Sequence, residues 1–237
     1  MIKTSGLMIY KKIFLIMSIG FFYNLGQAFA EELSQWQSDF TARVEMLALL
    51  QTLNAHLLSN SSATAVLEEW CADHHMAQVS KITARLTKEQ DKPISEDTRK
   101  RLHLRFLDRI KYRHVQLSCG SHVLSEADNW YVPSRLTDQM NRELNFSDRP
   151  FGKIIAPLNP YRRTMEVKIY WSPLEKGWEK NLSRSITNLR DERAISIPKY
   201  LFMHRALVSS EAGIPISEVV ETYTNEVINF DNKVINQ

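Results

Sequence analysis

Residues 111–132 read KYRHVQLSCGSHVLSEADNWYV, and this stretch decides the fold. Two runs that alternate apolar and polar residues, 111–119 and 122–132, flank a short turn that contains Gly120, which is the pattern of a β-hairpin. Because alternate residues of a strand face opposite sides, Arg113 shares a side with the apolar residues two and four positions further on. The stretch therefore predicts an antiparallel hairpin that carries a cation on its apolar face.

Two further predicted strands carry a charge among their apolar residues. Residues 162–171 place Arg163 on the same side as four apolar residues, and residues 216–224 place Glu221 between apolar neighbours. Ionised side chains are almost never fully buried without partners. Arg113 and Glu221 could simply form an internal ion pair that binds nothing. Two inward arginines against one glutamate nevertheless leave a positive surplus, which suits an anionic ligand with a carboxylate that a guanidinium can grip.

Helices precede the hairpins along the chain. Residues 31–58 place apolar side chains at spacings of three and four, which predicts a long amphipathic helix, and a second helix follows the polar residues 59–62. Residues 201–209 and 216–224 flank a turn and predict a second hairpin. The other predicted elements are a strand at 79–86, a helix at 95–106 and short helical or irregular pieces at 134–144 and 150–158. Helices first and hairpins afterwards predict an α+β domain with an antiparallel sheet.

The first thirty residues are predicted to form a cleavable signal peptide. Lys3, Lys11 and Lys12 form a basic region, residues 13–22 form an apolar region, and residues 28–30 read Ala-Phe-Ala, a small-x-small cleavage signal. The apolar region is short of the roughly 20 residues that span a bilayer. Cleavage and export to the periplasm or the medium are therefore expected, rather than an uncleaved membrane anchor.

The rest of the 237-residue chain is long enough for one domain with a core. We expect a single domain at 31–237, of which 31–77 is a helical lead-in. Removing the signal peptide takes three lysines and no acidic residue from 30 basic and 27 acidic residues, so the mature chain is formally neutral. The mature chain therefore lacks the excess of positive charge that is typical of a nucleic-acid-binding protein. Phosphate-loop, serine-hydrolase and zinc-protease motifs are absent from the sequence.

The two cysteines allow three interpretations. Cys71 and His74, together with Cys119 and His122, repeat a Cys-x-x-His spacing and could supply the four ligands of a tetrahedral zinc site. An exported chain with two cysteines more simply forms a disulfide. Two unlinked thiols are the third possibility. We expect a Cys71–Cys119 disulfide and no metal.

Five short motifs, taken in order, resemble the chorismate pyruvate-lyase family. The similarity is best from about residue 112 to 224, and the superfamily also includes the effector-binding domains of GntR-type regulators. It implies an antiparallel sheet with helical flaps that close over a small, buried aromatic acid. The motifs are Tyr112-Arg-His-Val-Gln-Leu117, Asn129-Trp-Tyr-Val-Pro133, Arg149-Pro-Phe-Gly152, Arg163-Thr-Met-Glu-Val167 and Gly213-Ile-Pro-Ile-Ser-Glu-Val-Val-Glu221.

The resemblance implies roles for particular residues. Arg113 would grip a substrate carboxylate, and a backbone amide at the turn of Phe151 and Gly152 would bind as well. A glutamate on the last strand would meet the ring hydroxyl. Assigning this role to Glu221 requires a one-residue gap, and without the gap Glu218 would be nearer. The side of the strand favours Glu221.

In the lyase reaction chorismate loses its enolpyruvyl group as pyruvate, and the ring becomes 4-hydroxybenzoate. The reaction needs no cofactor; Arg113 and Arg163 suit the two carboxylates, and Glu221 could hydrogen-bond the hydroxyl or move a proton. Two features depart from the family: the export signal, and Asn129, which stands where another arginine of the lyases aligns. We therefore predict an exported domain that encloses a small aromatic or cyclic carboxylate, with lyase activity or as a non-catalytic binding module. A structural or interaction protein whose inward charges pair only with one another is the third reading.

Overall fold

The chain folds around one antiparallel sheet. The computed structural model describes residues 36, 39–87, 91–180, 182 and 195–230, and the predicted signal peptide lies outside them. The described strands are β1 Ile82–Leu86, β2 Lys111–Cys119, β3 His122–Tyr131, β4 Tyr161–Ile169, β5 Tyr200–Ser209 and β6 Pro215–Thr224. They lie in the order β1-β2-β3-β6-β5-β4. Every neighbouring pair is antiparallel, which confirms the predicted α+β class.

Helices cover this sheet. The described α-helices are α1 Phe40–Ser59, α2 Ala63–Asp73, α3 Glu96–Arg101, α4 Asp138–Phe146 and α5 Phe151–Ile155. Asp39 caps α1 by accepting a hydrogen bond from the Ala42 amide (2.8 Å). Of the helix predicted at 31–58, residues 31–35 and 37–38 lie outside the described residues. No helix in the described ranges is long and apolar enough to cross a bilayer.

The main core lies between the sheet and helices α1 and α2. Apolar side chains at helical spacing on α1 and α2 are buried against one face of the sheet, where they lose contact with water. Trp70 of α2 also donates a hydrogen bond from its indole nitrogen to the Val227 carbonyl (2.8 Å). The fully buried members of this core include Met46, Leu53, Leu57, Leu67, Leu201, Ala206 and Tyr223.

A disulfide attaches α2 to the sheet. Cys71 and Cys119 are buried and bonded to each other, with their Cα atoms 6.3 Å apart, inside the usual range for this bond. His122 instead contacts the Glu226 carboxylate (2.8 Å). The described residues contain no cluster of three or more side chains that could hold a metal ion. Of the three interpretations of the cysteines, the structure thus contains the disulfide.

A β-bulge changes which arginine of β4 faces inward. The register shifts between Thr164 and Glu166, so Met165 is an extra residue without a partner on β5. Such an insertion reverses the phase of side chains on one side of it. Arg162 consequently faces the helices, and Arg163 is exposed. The predicted inward orientation of Arg163 is wrong, because simple alternation counted back from the apolar end of the strand ignores the bulge.

Candidate small-molecule site

A cavity of about 400 Å³ lies between the sheet and two helix ends. Its floor is formed by side chains of β2, β3 and β6, and its roof by the beginnings of α2 and α5. The volume falls in the range of small-molecule sites in proteins, roughly 300–1,000 Å³. The walls are mainly apolar, with Val115, Leu117, Ala127, Val208 and Val219 among them.

The roof depends on a close approach of α5 to α2. A β-carbon on Gly152 would lie 3.3 Å from Thr64 Oγ1 and 3.5 Å from Ser62 Oγ, so a side chain there would crowd the start of α2. Ser62 caps α2 by accepting a hydrogen bond from the Ala65 amide (3.2 Å). First-turn amides of a helix lack acceptors within the helix and carry its positive dipole end. The roof thus brings backbone donors and partial positive charge to the cavity.

Arg113 lies in the cavity wall without an internal partner. Arg113 is only 5% exposed, and its Nε and Nη2 atoms have no hydrogen-bond acceptor. Among the described residues no carboxylate forms an ion pair with it. Burial lowers the pKa of this guanidinium, while the nearby Tyr131 phenol acts in the opposite direction. A guanidinium nevertheless keeps its proton in proteins, so the cavity wall carries an uncompensated positive charge.

Glu221 also faces the cavity, but its partner is Arg162. Arg162 Nη2 lies 2.8 Å from Glu221 Oε2, and both side chains are buried. The Nη1 atom of Arg162 donates to the Leu57 carbonyl (3.2 Å) and to Thr164 Oγ1 (2.8 Å). Burial opposes ionisation of Arg162, but the Glu221 carboxylate and the Tyr223 phenol together outweigh burial, so the pKa of Arg162 lies above its ordinary value. The predicted alternative, a closed ion pair between Arg113 and Glu221, is wrong because Arg162 takes that carboxylate.

Glu218 lies on the other side of the sheet. It is fully buried and accepts hydrogen bonds from Arg101 Nε (2.7 Å), Arg205 Nη1 (2.8 Å) and Thr98 Oγ1 (3.1 Å). Glu218 therefore fastens α3 to the far face and takes no part in the cavity. The side-of-strand argument selected the cavity-facing glutamate, Glu221.

Asn129 lies next to Arg113 across the β2–β3 pair and also lines the cavity. Its side-chain oxygen accepts a short hydrogen bond from Ser217 Oγ (2.5 Å), so its amide nitrogen is the group that remains to donate to a ligand. Asn129 is 3% exposed. It supplies a polar contact beside Arg113 without a second charge.

Most of the candidate residues meet in this cavity. Arg113, Asn129, Phe151, Gly152 and Glu221 all line it, as the resemblance implied. Their roles toward a ligand stay predictions.

Two features of the cavity were missed at the level of sequence. Arg162 has the same side chain as its neighbour Arg163, and nothing in the composition of the strand marks Met165 as the extra residue. The polar residues 59–62 are the local signal in the sequence for the start of α2. That signal does not reveal that α5 meets the same helix end.

The geometry defines a class: an α+β domain that encloses a small, mainly apolar cavity with one uncompensated guanidinium in its wall. No protein-family model matches the chain. It is 45% identical over 205 residues to "Uncharacterized protein y4mC" of Sinorhizobium fredii, an alignment that covers 85% of each protein. The chain belongs to the same family as that protein.

Among solved structures, the chain is similar to several bacterial proteins. The alignment with PhnF from Mycobacterium smegmatis has 12% identity and a TM-score of 0.45, and it covers 71% of this chain and 66% of PhnF. The alignment with YydK from Bacillus subtilis has 13% identity and a TM-score of 0.38, and it covers 62% of this chain and 58% of YydK. The alignment with the effector-binding domain of the B. subtilis trehalose repressor has 11% identity and a TM-score of 0.34. It covers 60% of this chain and 89% of that domain. Such scores carry no ligand or role over to this chain.

Proposed function

We propose that this chain encloses a small aromatic or cyclic carboxylate in the cavity and that Arg113 is its anchor. The observation that supports this most directly is the buried guanidinium of Arg113, which has no internal counterion. A buried charge without a partner costs several kcal/mol. A carboxylate ligand would supply the missing counterion and form charge-assisted hydrogen bonds with the guanidinium.

The remaining walls fit a small ring. Val115, Ala127 and Val219 offer apolar surface, and the roof that Gly152 and the start of α2 form faces them across the cavity. Of the two carboxylate oxygens of Glu221, Oε2 is the one that Arg162 and Tyr223 contact, at 2.8 Å and 3.3 Å. Its other oxygen is the group that would accept a hydrogen bond from a ligand hydroxyl. This assignment agrees with the role that the resemblance to the chorismate pyruvate-lyases gives to Glu221.

Elimination of pyruvate from chorismate is the second candidate. It is favoured by the presence of Arg113 and Glu221 in one mainly apolar cavity, where an anion could be oriented and a proton moved without a cofactor. Residues 1–30 carry the pattern of a signal peptide, so we further propose that either activity takes place outside the cytoplasm.

The binding proposal is tested by calorimetric titration of the purified protein with 4-hydroxybenzoate. We expect Arg113→Ala to weaken binding at least 30-fold, because truncating one partner of a buried charge pair costs about 2 kcal/mol or more. Arg163→Ala is the matched control, since it removes an exposed guanidinium outside the cavity and should leave the affinity unchanged. Equal losses in the two variants would contradict the assignment to the cavity.

The lyase candidate is tested separately. The purified protein is mixed with chorismate, and pyruvate and 4-hydroxybenzoate are followed over time. Product formation above the spontaneous rate that is lost in Arg113→Ala would support catalysis. Binding of 4-hydroxybenzoate without product formation would leave a non-catalytic binding module. Mass spectrometry of acids that copurify with the protein would identify its ligand directly.

A further inference from the structure

The cations in the cavity wall are not equivalent. Among the described residues that line the cavity, the cationic side chains are Lys153, Arg113 and Arg162. Lys153 lies at the rim, where its side chain is 44% exposed and its Nζ atom is 2.5 Å from Glu68 Oε2. This leaves two buried guanidiniums that could determine how much negative charge a ligand brings.

Arg162 is already compensated. Glu221 lies 2.8 Å from it, and the exposed fractions of the two side chains are 4% and 9%. One Arg162 nitrogen, Nε, is buried without an acceptor, but the unit charge of the guanidinium is matched by the adjacent carboxylate. The cavity therefore presents one uncompensated cation, Arg113.

The helix end does not change this count. The N-terminus of a helix acts as roughly half of an elementary charge. At the start of α2, where Ser62 and Thr64 line the cavity, this partial charge would support a carboxylate without replacing a second cation. A second negative group on the ligand would instead meet the Glu221 carboxylate, and like charges repel strongly where water is excluded.

From this charge count we infer that the cavity selects acids with a single negative charge over dianions, and that Glu221 sets this preference by neutralising Arg162. The inference rests on the proposed function and makes its ligand class more specific. It also bears on the second candidate, because chorismate carries two carboxylates. A product-like hydroxy acid matches the charge of the cavity better than chorismate does.

The test uses two acids of nearly identical shape. Benzene-1,4-dicarboxylate carries two charges at neutral pH, whereas 4-carbamoylbenzoate replaces one carboxylate by a neutral amide of similar size. We expect calorimetry on the wild-type protein to show at least about 30-fold tighter binding of 4-carbamoylbenzoate. Equal or tighter binding of the dicarboxylate would overturn the inference, and this comparison needs no variant to fold.

The variant Glu221→Gln tests the residue that sets the preference. The variant leaves Arg162 without its carboxylate, so we expect it to bind the dicarboxylate at least tenfold more tightly than the wild type does. The ratio of the affinities for the two acids should shrink accordingly. Circular dichroism and thermal melting verify that the variant is folded. An unchanged ratio in folded Glu221→Gln would overturn the role of Glu221.

These outcomes separate the inference from the proposed function. If neither 4-carbamoylbenzoate nor 4-hydroxybenzoate binds to the wild-type protein at millimolar concentration, carboxylate binding itself is refuted. If the singly and the doubly charged acids bind with equal affinity, and both lose affinity in Arg113→Ala, the proposed function stands and only the charge selectivity is refuted.

Discussion

Glu218 and Glu221 belong to the same strand, β6, but face opposite sides of the sheet. On the far side, Glu218 is fully buried and two arginines and a threonine satisfy it. On the cavity side, Glu221 has one arginine partner, and Arg113 has no counterion among the described residues. The far face is an ion-pair network completed by the protein itself. On the cavity face, the Arg113 guanidinium has no carboxylate partner among the described residues, and this uncompensated charge is the basis of the proposed anion site.

The two faces also differ in how their helices are attached, and removing the covalent attachment gives the largest expected effect. The Cys71–Cys119 bond closes a sequence separation of 48 residues. Replacing both cysteines by alanine should lower the free energy of unfolding by about 4 kcal/mol, through the gain in unfolded-chain entropy. Urea unfolding measures this change. Alkylation without reductant should label neither cysteine, and labelling of both would contradict the bond.

On the far face, Glu218→Gln should lower the free energy of unfolding by about 3 kcal/mol. The substitution leaves Arg101 and Arg205 without the carboxylate that both contact, and breaking a buried pair from one side is strongly destabilising. Glu166→Gln is the matched control, since Glu166 also contacts Arg205 but is partly exposed. It should change the free energy by less than about 1 kcal/mol. Similar losses in the two variants would contradict the network described for Glu218.

On the cavity side, His204 makes stability depend on pH. Burial, reinforced by the charge of Arg162, lowers the pKa of His204 from 6.5 to about 4. The unfolded chain therefore binds a proton at a higher pH than the folded chain does. The stabilisation is complete above about pH 6.5 and is lost as pH falls through about 4, by at most about 3 kcal/mol.

The measurement for His204 is the difference between wild type and His204→Gln in unfolding free energy from pH 7.5 to 4. Other acidic groups titrate in both proteins, so their contributions largely cancel in this difference. The wild type should lose more stability than the variant over this range. Parallel curves would show that the folded protein accommodates a charged His204 beside Arg162.

Arg113→Met should change stability in the opposite direction from Glu218→Gln. Without ligand, this substitution removes a buried charge that has no partner and keeps apolar volume in its place. We expect a gain of about 1 kcal/mol in the free energy of unfolding, seen as a higher melting temperature. A loss of stability would indicate that Arg113 is held by the protein itself and would favour the structural reading of the inward charges.

The smallest effect is expected from Arg163→Ala. Arg163 is exposed on β4, and surface substitutions usually change the free energy of unfolding by no more than about 0.5 kcal/mol. Thermal melting should therefore show no measurable shift. A clear loss would mean that the bulge does not turn this side chain to solvent.

Regular patterns in the sequence predicted the architecture and part of the site. Alternation along β2 and β6 places Arg113 and Glu221 on the cavity side as expected, since neither position is separated from its apolar neighbours on that side by a bulge. The same rule failed for Arg163, because Met165 interrupts the alternation without a recognisable signal.

Features that depend on tertiary packing could not be read from local patterns. The meeting of α2 with α5 at Gly152 and Thr64 depends on segments that are far apart in sequence. The pairing of Glu221 with Arg162 rather than with Arg113 likewise depends on strand order. This order places β4 close enough to β6, across β5, for Arg162 to contact Glu221.

The bulge in β4 also affects how related sequences are aligned. The β5 partners of Thr164 and Glu166 are consecutive residues, so Met165 is an insertion that the strand pairing does not need. A relative that lacks this residue would keep every pair of the two strands, and its arginine beside Glu221 would be displaced by one column in an ungapped alignment. Such an alignment would match Arg163, rather than Arg162, to the cavity arginine of the relative. An alignment with such a relative therefore requires a one-residue gap at position 165.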